Sequence, residues 1–397
     1  MAERPQFYGG GYPMGAVYGE RWKTVKVLGK GGQGLVYLVL DVKGRAEESG
    51  LISELQRSMS QITGAHTVES LREDGRKFIE IVSEIAGGHF LRNGALKQLL
   101  PLDEAVNAKC ALERMKVEVE VMKSVQHQGL VGILDDRLDE QWFVMDYLGD
   151  ETLDKRIDRY RGKPLEALKA LRPVVEAVSL VHEKRIVHRD IKPGNIFLGQ
   201  DGHLVLGDFG LAFKMEGAER VTDTFENVGT RDYMPGWAQT MRVADVTPAF
   251  DVFSLGKLLW VMVAGQPRMR LWYFTHPDFD LLKKFPESIG IVLVQEILSR
   301  TVVEFEKDCL ATAGELLAMI TRVIGVLERG LDAPRRNGMR CRVCGLGEYV
   351  HDDHKQLTAS HMILGPGNRV QFYICTNCGH IDWFYFDSGQ TPPGWKR

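Results

Sequence analysis

The sequence predicts a mixed α+β chain of more than one domain, with a small cysteine-bearing module near its C-terminal end. Three observations carry this. Strand-like runs gather around a glycine cluster before Thr152, whereas the pattern after Thr152 is mostly helical. Two Cys-x-x-Cys pairs, Cys341/Cys344 and Cys375/Cys378, stand late in the chain. The length of 397 residues exceeds the roughly 150 of an ordinary domain.

The elements follow in order. Residues 1–20 are rich in Gly, Tyr and Pro, show no period, and read as a flexible tail. Thr24–Leu28 and Leu35–Leu40 read as two strands of a hairpin around the glycines. Between residues 45 and 88, Leu51, Ile52, Leu55, Met59 and Ile62 fall at helical spacing, as do Val68, Leu71, Phe78, Val82 and Ile85. They predict two amphipathic helices with a break near Gly64. A strand at Ala95–Leu99, a helix over Asp103–Ser124 and strands at Ile133–Leu134 and Trp142–Asp146 come next. Short strands at Ile196–Leu198 and Leu204–Leu206 interrupt the helical half, and a strongly apolar helix over Val252–Ala264 is broken only by Lys257. Helices reach about Glu328; 331–338 reads as a linker, 339–387 as the cysteine module and 388–397 as a tail.

Composition excludes several classes. Hydrophobic residues make up 44% and charged residues 26%, which rules out a largely disordered chain. Lys+Arg total 50 against 53 Asp+Glu, for a net charge of −3, so the surface as a whole is not built for nucleic acid. No apolar run approaches the ~18 residues of a transmembrane helix. The N-terminus lacks the basic-then-apolar order of a signal peptide. A soluble cytoplasmic protein with no membrane partner is expected. Six cysteines are too few for a disulfide scaffold, and in a reducing cell the two pairs favour a metal.

Leu28-Gly29-Lys30-Gly31-Gly32-Gln33-Gly34-Leu35-Val36 lies between two strands. Glycines there let backbone N–H groups approach phosphate oxygens with no Cβ in the way. Alone, such a cluster also fits a plain glycine-rich hairpin. A dinucleotide fold is disfavoured, because its glycines open a helix and here a strand follows. His188-Arg189-Asp190-Ile191-Lys192-Pro193-Gly194-Asn195 is more specific. Phosphoryl transfer needs a carboxylate for the attacking hydroxyl, oxygen ligands for Mg²⁺ and fixed positive charge near the transferring group. Asp190, Asn195 and Lys192 supply these within one loop, and Asp208-Phe209-Gly210 supplies a second metal ligand 18 residues after Asp190.

These motifs resemble those of eukaryotic-type protein kinases, over about residues 22–328, and the Lys two places after Asp190 resembles the Ser/Thr class. The resemblance implies a bilobal kinase-like fold over residues 21–330, with 45–88 as a helical insertion in the small lobe. It implies a serine/threonine protein kinase using ATP and Mg²⁺ (or Mn²⁺) on protein substrates. Lys97, in Ala95-Leu96-Lys97, resembles the lysine that holds the α/β-phosphates, and Glu118 its helical partner. Met145-Asp146-Tyr147-Leu148 resembles the hinge, with Met145 as gatekeeper and the backbone of Asp146 and Leu148 pairing with adenine. Val36, Ala95 and Phe197 would sandwich the ring, and Gly29, Gly31 and Gly34 would cover the phosphates. Asp251 resembles the Asp that braces the catalytic loop. Thr222 and Thr224 lie between Gly210 and Gly229, where a phosphate paired with Arg189 would order the loop. The rival reading is a pseudokinase scaffold that presents the cysteine module to a partner.

Two departures stand out. Where the family has Ala-Pro-Glu, this chain has Pro235-Gly236-Trp237, and Leu310 stands in the register of the Arg that pairs with that Glu. Losing both partners of a buried ion pair can be neutral, whereas losing one strands a charge. The positioning of a peptide substrate is what this exchange touches. The other departure is the 45–88 insertion itself, read either as solvated surface or as a docking element.

Cys341-Arg342-Val343-Cys344-Gly345 and Cys375-Thr376-Asn377-Cys378-Gly379 form matched knuckles that resemble a zinc ribbon. Four thiolates suit tetrahedral, structural Zn²⁺, with a redox dithiol as the alternative. Residues 333–397 carry eight Lys/Arg and five Asp/Glu. This leaves the ribbon's partner open between protein and nucleic acid.

Overall fold

The computed structural model describes residues 14–30, 34–64, 67, 73, 75–78, 93–99, 105–199, 202–214, 231–240, 245–270, 272–332, 349–351, 369–375 and 381–386. They fall into two units. One takes the chain up to His127 together with Val131–Asp150, and the other takes Gln128–Leu130 and the chain from Glu151 onward.

Six antiparallel strands build the first unit: β1 (Val17–Tyr18), β2 (Trp22–Lys30), β3 (Gly34–Asp41), β4 (Asn93–Leu99), β5 (Ile133–Arg137) and β6 (Trp142–Asp146). Their order in the sheet is β1-β2-β3-β4-β6-β5. Leu35, Tyr37 and Val39 recur at period two and bury one face with Trp22, Leu96, Trp142 and Val144. The buried Trp22 indole donates to Asp135 Oδ2 at 2.8 Å, so its polar edge is satisfied inside the core. The fold starts earlier than the composition of residues 1–20 suggests. Val17 and Tyr18 pair with Lys23 and Trp22, and the Tyr18 ring packs edge-on against Trp142 at 5.8 Å. Two residues are too few to show a period, so the pairing is invisible in the sequence.

Helix α1 (Val42–Gly64) leaves β3 directly. Its first turns, Val42-Lys43-Gly44-Arg45-Ala46-Glu47-Glu48, carry no apolar repeat, which is why the spacing signal begins only at Leu51. The junction is fixed by Arg21, whose Nε and Nη2 reach Asp41 Oδ2 at 2.9 and 2.6 Å. Of the second expected helix, residues 75–78 are helical and most of the rest lies outside the described residues. Helix α2 (Ala105–Ser124) buries Met115, Glu118, Val119 and Met122, one face at helical spacing, and leaves Glu120 exposed.

In the second unit, α3 (Pro164–Glu183) begins with a proline at its first position, where the missing N–H costs nothing. Four short strands follow, β7 (Ile186–Val187), β8 (Ile196–Leu198), β9 (Leu204–Leu206) and β10 (Phe213–Lys214). They pair β8 with β9 and β7 with β10. Helix α4 (Ala249–Ala264) is buried at all sixteen positions, as an all-round apolar helix must be. It ends at Gly265, which takes a left-handed φ of 62°. A Cβ on Gly256 would stand 2.2 Å from Thr301 Oγ1, so only glycine admits α6 (Ile291–Thr301) this closely. The one-turn α5 (Leu281–Lys284) precedes α6, and α7 (Ala313–Asp332) closes the unit. Among the described residues, no helix is long and apolar enough to cross a membrane.

Near the C-terminus, β11 (Tyr349–His351), β12 (Arg369–Cys375) and β13 (Ile381–Phe386) form an antiparallel sheet in that order. Tyr349 is opposite Cys375, and Phe372 is opposite Trp383.

Candidate active site

In the first unit the β3–β4–β6 ladder sets the register of four expected nucleotide contacts. Val36 is opposite Lys97, and Ala95 is opposite Met145. From β4, Lys97 Nζ reaches Glu118 Oε1 at 2.8 Å and Oε2 at 2.7 Å. The Glu118 side chain is 3% exposed and that of Lys97 19%. The carboxylate is thus held inside the unit by the ammonium, while the lysine keeps some access to solvent. Gly34 opens β3 so close to β4 that a Cβ would stand 2.6 Å from Gln98 O. Gly29 lies in β2, and Gly31 is outside the described residues. Asp146 ends β6, its N–H donating to Gly132 O at 2.9 Å while its Oδ2 accepts from Gly132 N–H at 3.2 Å. Leu148 follows in the loop, half-buried.

The acids of the second unit sit in two loops that share the same ladders at their ends. Strand β7 leads into His188 and pairs with β10, which follows Gly210. Strand β8 leaves Asn195 and pairs with β9, which leads into Asp208, and Gly207 N–H donates to Asn195 O at 3.0 Å. Asp190 and Asp208 are therefore brought to one place by backbone pairing. Lys192 Nζ grips the Asp190 carboxylate, at 3.0 Å from Oδ1 and 2.7 Å from Oδ2. Asn195 Nδ2 donates to Asp190 O at 2.8 Å and to Asp190 Oδ2 at 2.9 Å. With its nitrogen committed, Asn195 presents Oδ1 as the atom for a cation, and Asp208 is an exposed carboxylate. This pair of hard oxygen donors suits Mg²⁺. Phe197 lies in β8, opposite Val205. Thr222 and Thr224 fall outside the described residues, as do Cys341, Cys344 and Cys378.

The loop is braced from α4. Asp251 Oδ2 accepts His188 N–H at 2.7 Å and lies 3.0 Å from His182 Nε2, and Oδ1 accepts Arg189 N–H at 2.9 Å. Burial pushes the Asp251 carboxyl up, but the His182 hydrogen bond, the charges of His182 and His188 and the His188 N–H together hold it below its ordinary value. Arg189 and Asp208 take left-handed backbone, with φ of 67° and 59°. Arg189 Nε donates to Leu211 O at 2.6 Å, tying the two loops together. Phe209 is buried with its ring edge-on to His188 at 4.6 Å.

The family model of the protein kinase domain matches residues 92–313. The chain belongs to the protein kinase domain family. The matched stretch carries Lys97, Glu118, Asp190, Asn195 and Asp208; the glycine cluster precedes it and the cysteine pairs follow it. Serine/threonine-protein kinase pak-1 of Caenorhabditis elegans is 29% identical over 219 residues, which is 52% of this chain and 36% of the relative. Aurora/IPL1-related protein kinase 2 of the same organism is 27% identical over 210 residues, 49% of this chain and 67% of the relative. Serine/threonine-protein kinase PknL of Mycobacterium tuberculosis is 31% identical over 157 residues, 39% of each chain. The kinase domain thus aligns with between about a third and two thirds of each of these relatives.

The departure at Pro235-Gly236-Trp237 has a physical counterpart in the kinase domain. Trp237 packs edge-on against Phe253 of α4, centroids 5.2 Å apart, beside a buried cluster of Val187, Met234, Ala238, Val246 and Phe250. At Trp237, in the register of the Glu of the family's Ala-Pro-Glu, the contact is thus apolar. One residue here was not legible in sequence. Lys257 reads there only as an interruption of an apolar run, yet it is 2% exposed inside α4. Burial pushes its ammonium down to about 8, against the opposing pull of the Asp232 charge.

Proposed function

We propose that this chain is a serine/threonine protein kinase that transfers the γ-phosphoryl group of ATP to hydroxyls of protein substrates. The observation that carries the reading is the Asp190 carboxylate fixed by Lys192 and Asn195 within one loop. Asp190 receives the acceptor Ser or Thr hydroxyl as a hydrogen-bond donor and takes its proton as the new phosphorus–oxygen bond forms and the bond from the γ-phosphorus to the ADP leaving group breaks. Lys192 lies beside that carboxylate and offsets charge on the transferring group. Lys97, positioned by Glu118, grips the α/β-phosphates. Asn195 Oδ1 and Asp208 hold Mg²⁺, which neutralises phosphate charge when bound. In the first unit Val36, Ala95 and Met145 serve the adenine, with the backbone of Asp146 and Leu148 as its hydrogen-bonding edge. Incubation with γ-labelled ATP and a generic protein acceptor tests this. Label transfer by the wild type and its loss in Asp190→Ala are expected, and equal incorporation by both sinks the reading.

The C-terminal sheet supports a zinc ribbon. Cys375 ends β12, and Cys378 lies in the five-residue connection to β13. Cys341 and Cys344 precede β11 closely in sequence. The two Cys-x-x-Cys pairs together offer four thiolates, the number that structural zinc takes. In the same reading, Thr222 or Thr224 is autophosphorylated and pairs with Arg189. Phosphopeptide mapping after incubation with ATP checks this, and absence of phosphate from both threonines overturns it.

A further inference from the structure

Residues 231–237 follow the segment that carries Thr222 and Thr224, and they are the stretch in which this chain lacks the family's buried ion pair. Something else must hold them, because the backbone groups of Asp232 and Tyr233 need partners. Four contacts do so. Lys257 Nζ, projecting from the middle of α4, donates to Asp232 O at 2.6 Å and to Met269 O at 2.8 Å. One helical turn earlier, Ser254 Oγ donates to Tyr233 O at 2.9 Å. Tyr233 OH donates to Pro267 O at 2.8 Å, and Trp237 rests on Phe253. The Lys257 ammonium also lies 5.6 Å from the centre of that same Phe253 ring, so the charge and the tryptophan share one aromatic platform on α4. An exposed ion pair, Arg268 with Asp232 at 3.2 Å, adds little.

We propose that Lys257 is the positioning residue for the acceptor peptide: it ties residues 231–237 to α4 and to the loop at Met269, in place of the missing ion pair. The logic is one of charge economy. The family's strut needs two opposite charges in a buried place. Here a single ammonium is met, among the described residues, by two backbone carbonyls and an aromatic face. Those carbonyls belong to two different segments, so one side chain joins residues 231–237 to the loop at Met269. The role in catalysis rests on the kinase reading above; the anchoring itself does not.

Two variants and two readouts test it. Lys257→Met keeps the length of the side chain and removes the charge; Ser254→Ala removes a neighbouring anchor with little loss of volume. Amide hydrogen exchange in peptides covering 231–240 should speed up roughly tenfold in both, with α3 and α7 unchanged. In phosphotransfer assays the KM for an acceptor peptide should rise about tenfold, while kcat and the KM for ATP stay within about twofold. Unchanged exchange at 231–240 in both variants overturns the anchor. Faster exchange with an unchanged peptide KM overturns the positioning role. If Lys257→Met opens everywhere at once, Ser254→Ala decides, and an unaltered 231–240 segment there counts against the proposal. A wild type that transfers no phosphate defeats the kinase reading, and the exchange result still decides the anchor.

Discussion

The Lys97 ammonium meets both oxygens of the Glu118 carboxylate, at 2.8 and 2.7 Å, and the two side chains bury unequally, 19% against 3% exposed. The asymmetry sets the cost of breaking the pair. Lys97→Ala takes the ammonium from a carboxylate inside the unit and should destabilise by roughly 3 kcal/mol. Glu118→Ala leaves a lysine that can turn to solvent and should cost less. The double variant should cost less than the sum of the two, with a coupling of about 1–3 kcal/mol in a denaturation cycle. Additive losses would mean that the pair contributes nothing to the fold.

Acid should reach Asp251 only after it has protonated ordinary surface carboxylates. Its folded pKa lies below the ordinary 3.8, so its carboxylate stabilises the fold above that value, and the contribution is lost as pH falls through the folded value. Asp251→Asn should be less stable at neutral pH by about 2 kcal/mol, since an amide cannot accept all the bonds that the carboxylate receives. Its stability should then fall less steeply than that of the wild type below about pH 4. Parallel acid-unfolding curves would refute this.

Lys257 is shifted in the same direction, but there the lowered value disfavours the charged form. Its folded pKa of about 8 lies below the 10.5 of an exposed lysine. Between those values the unfolded chain holds the proton that the folded chain has released, so stability rises with pH. Relative to Lys257→Met, the wild type should gain up to roughly 3 kcal/mol from pH 8 to pH 10.5, read by urea unfolding at each pH. A flat difference would mean that the ammonium is solvated better than its burial implies.

Zinc should be separable from catalysis. Cys375→Ser with Cys378→Ser should release about one zinc per chain, measured by a chelating dye, and should open the C-terminal sheet. ATP turnover on a generic acceptor should persist. Loss of ATP binding in the same variant would show that the module supports the kinase domain.

How much of this was legible in sequence depended on whether the signal was local. The His188–Asn195 loop and Asp208-Phe209-Gly210 carry their chemistry in adjacent letters, and so did the register that marks Glu118 rather than Glu120. Strands Trp142–Asp146, Ile196–Leu198 and Leu204–Leu206 have the expected bounds because their apolar runs are bracketed by polar residues or glycine. The pairings Val17–Tyr18, Ile186–Val187 and Phe213–Lys214 were missed, being too short for any period. The start of α1 at Val42 was missed because charged and small residues fill its first turns. Lys257 was misjudged for another reason. Its partners are backbone carbonyls 25 and 12 residues away, and a carbonyl has no letter in the sequence.

The left-handed backbone of Asp208 has an evolutionary consequence. Glycine adopts that conformation freely, while a side chain there strains it by about 1 kcal/mol. Asp208 is exposed, and its Oδ1 accepts a long 3.4 Å bond from Gly210 N–H. Selection for thermal tolerance alone would let this position drift towards glycine. Under the proposed function an acid in such a place is kept for its task, and a lineage that loses it is expected to lose phosphoryl transfer with it.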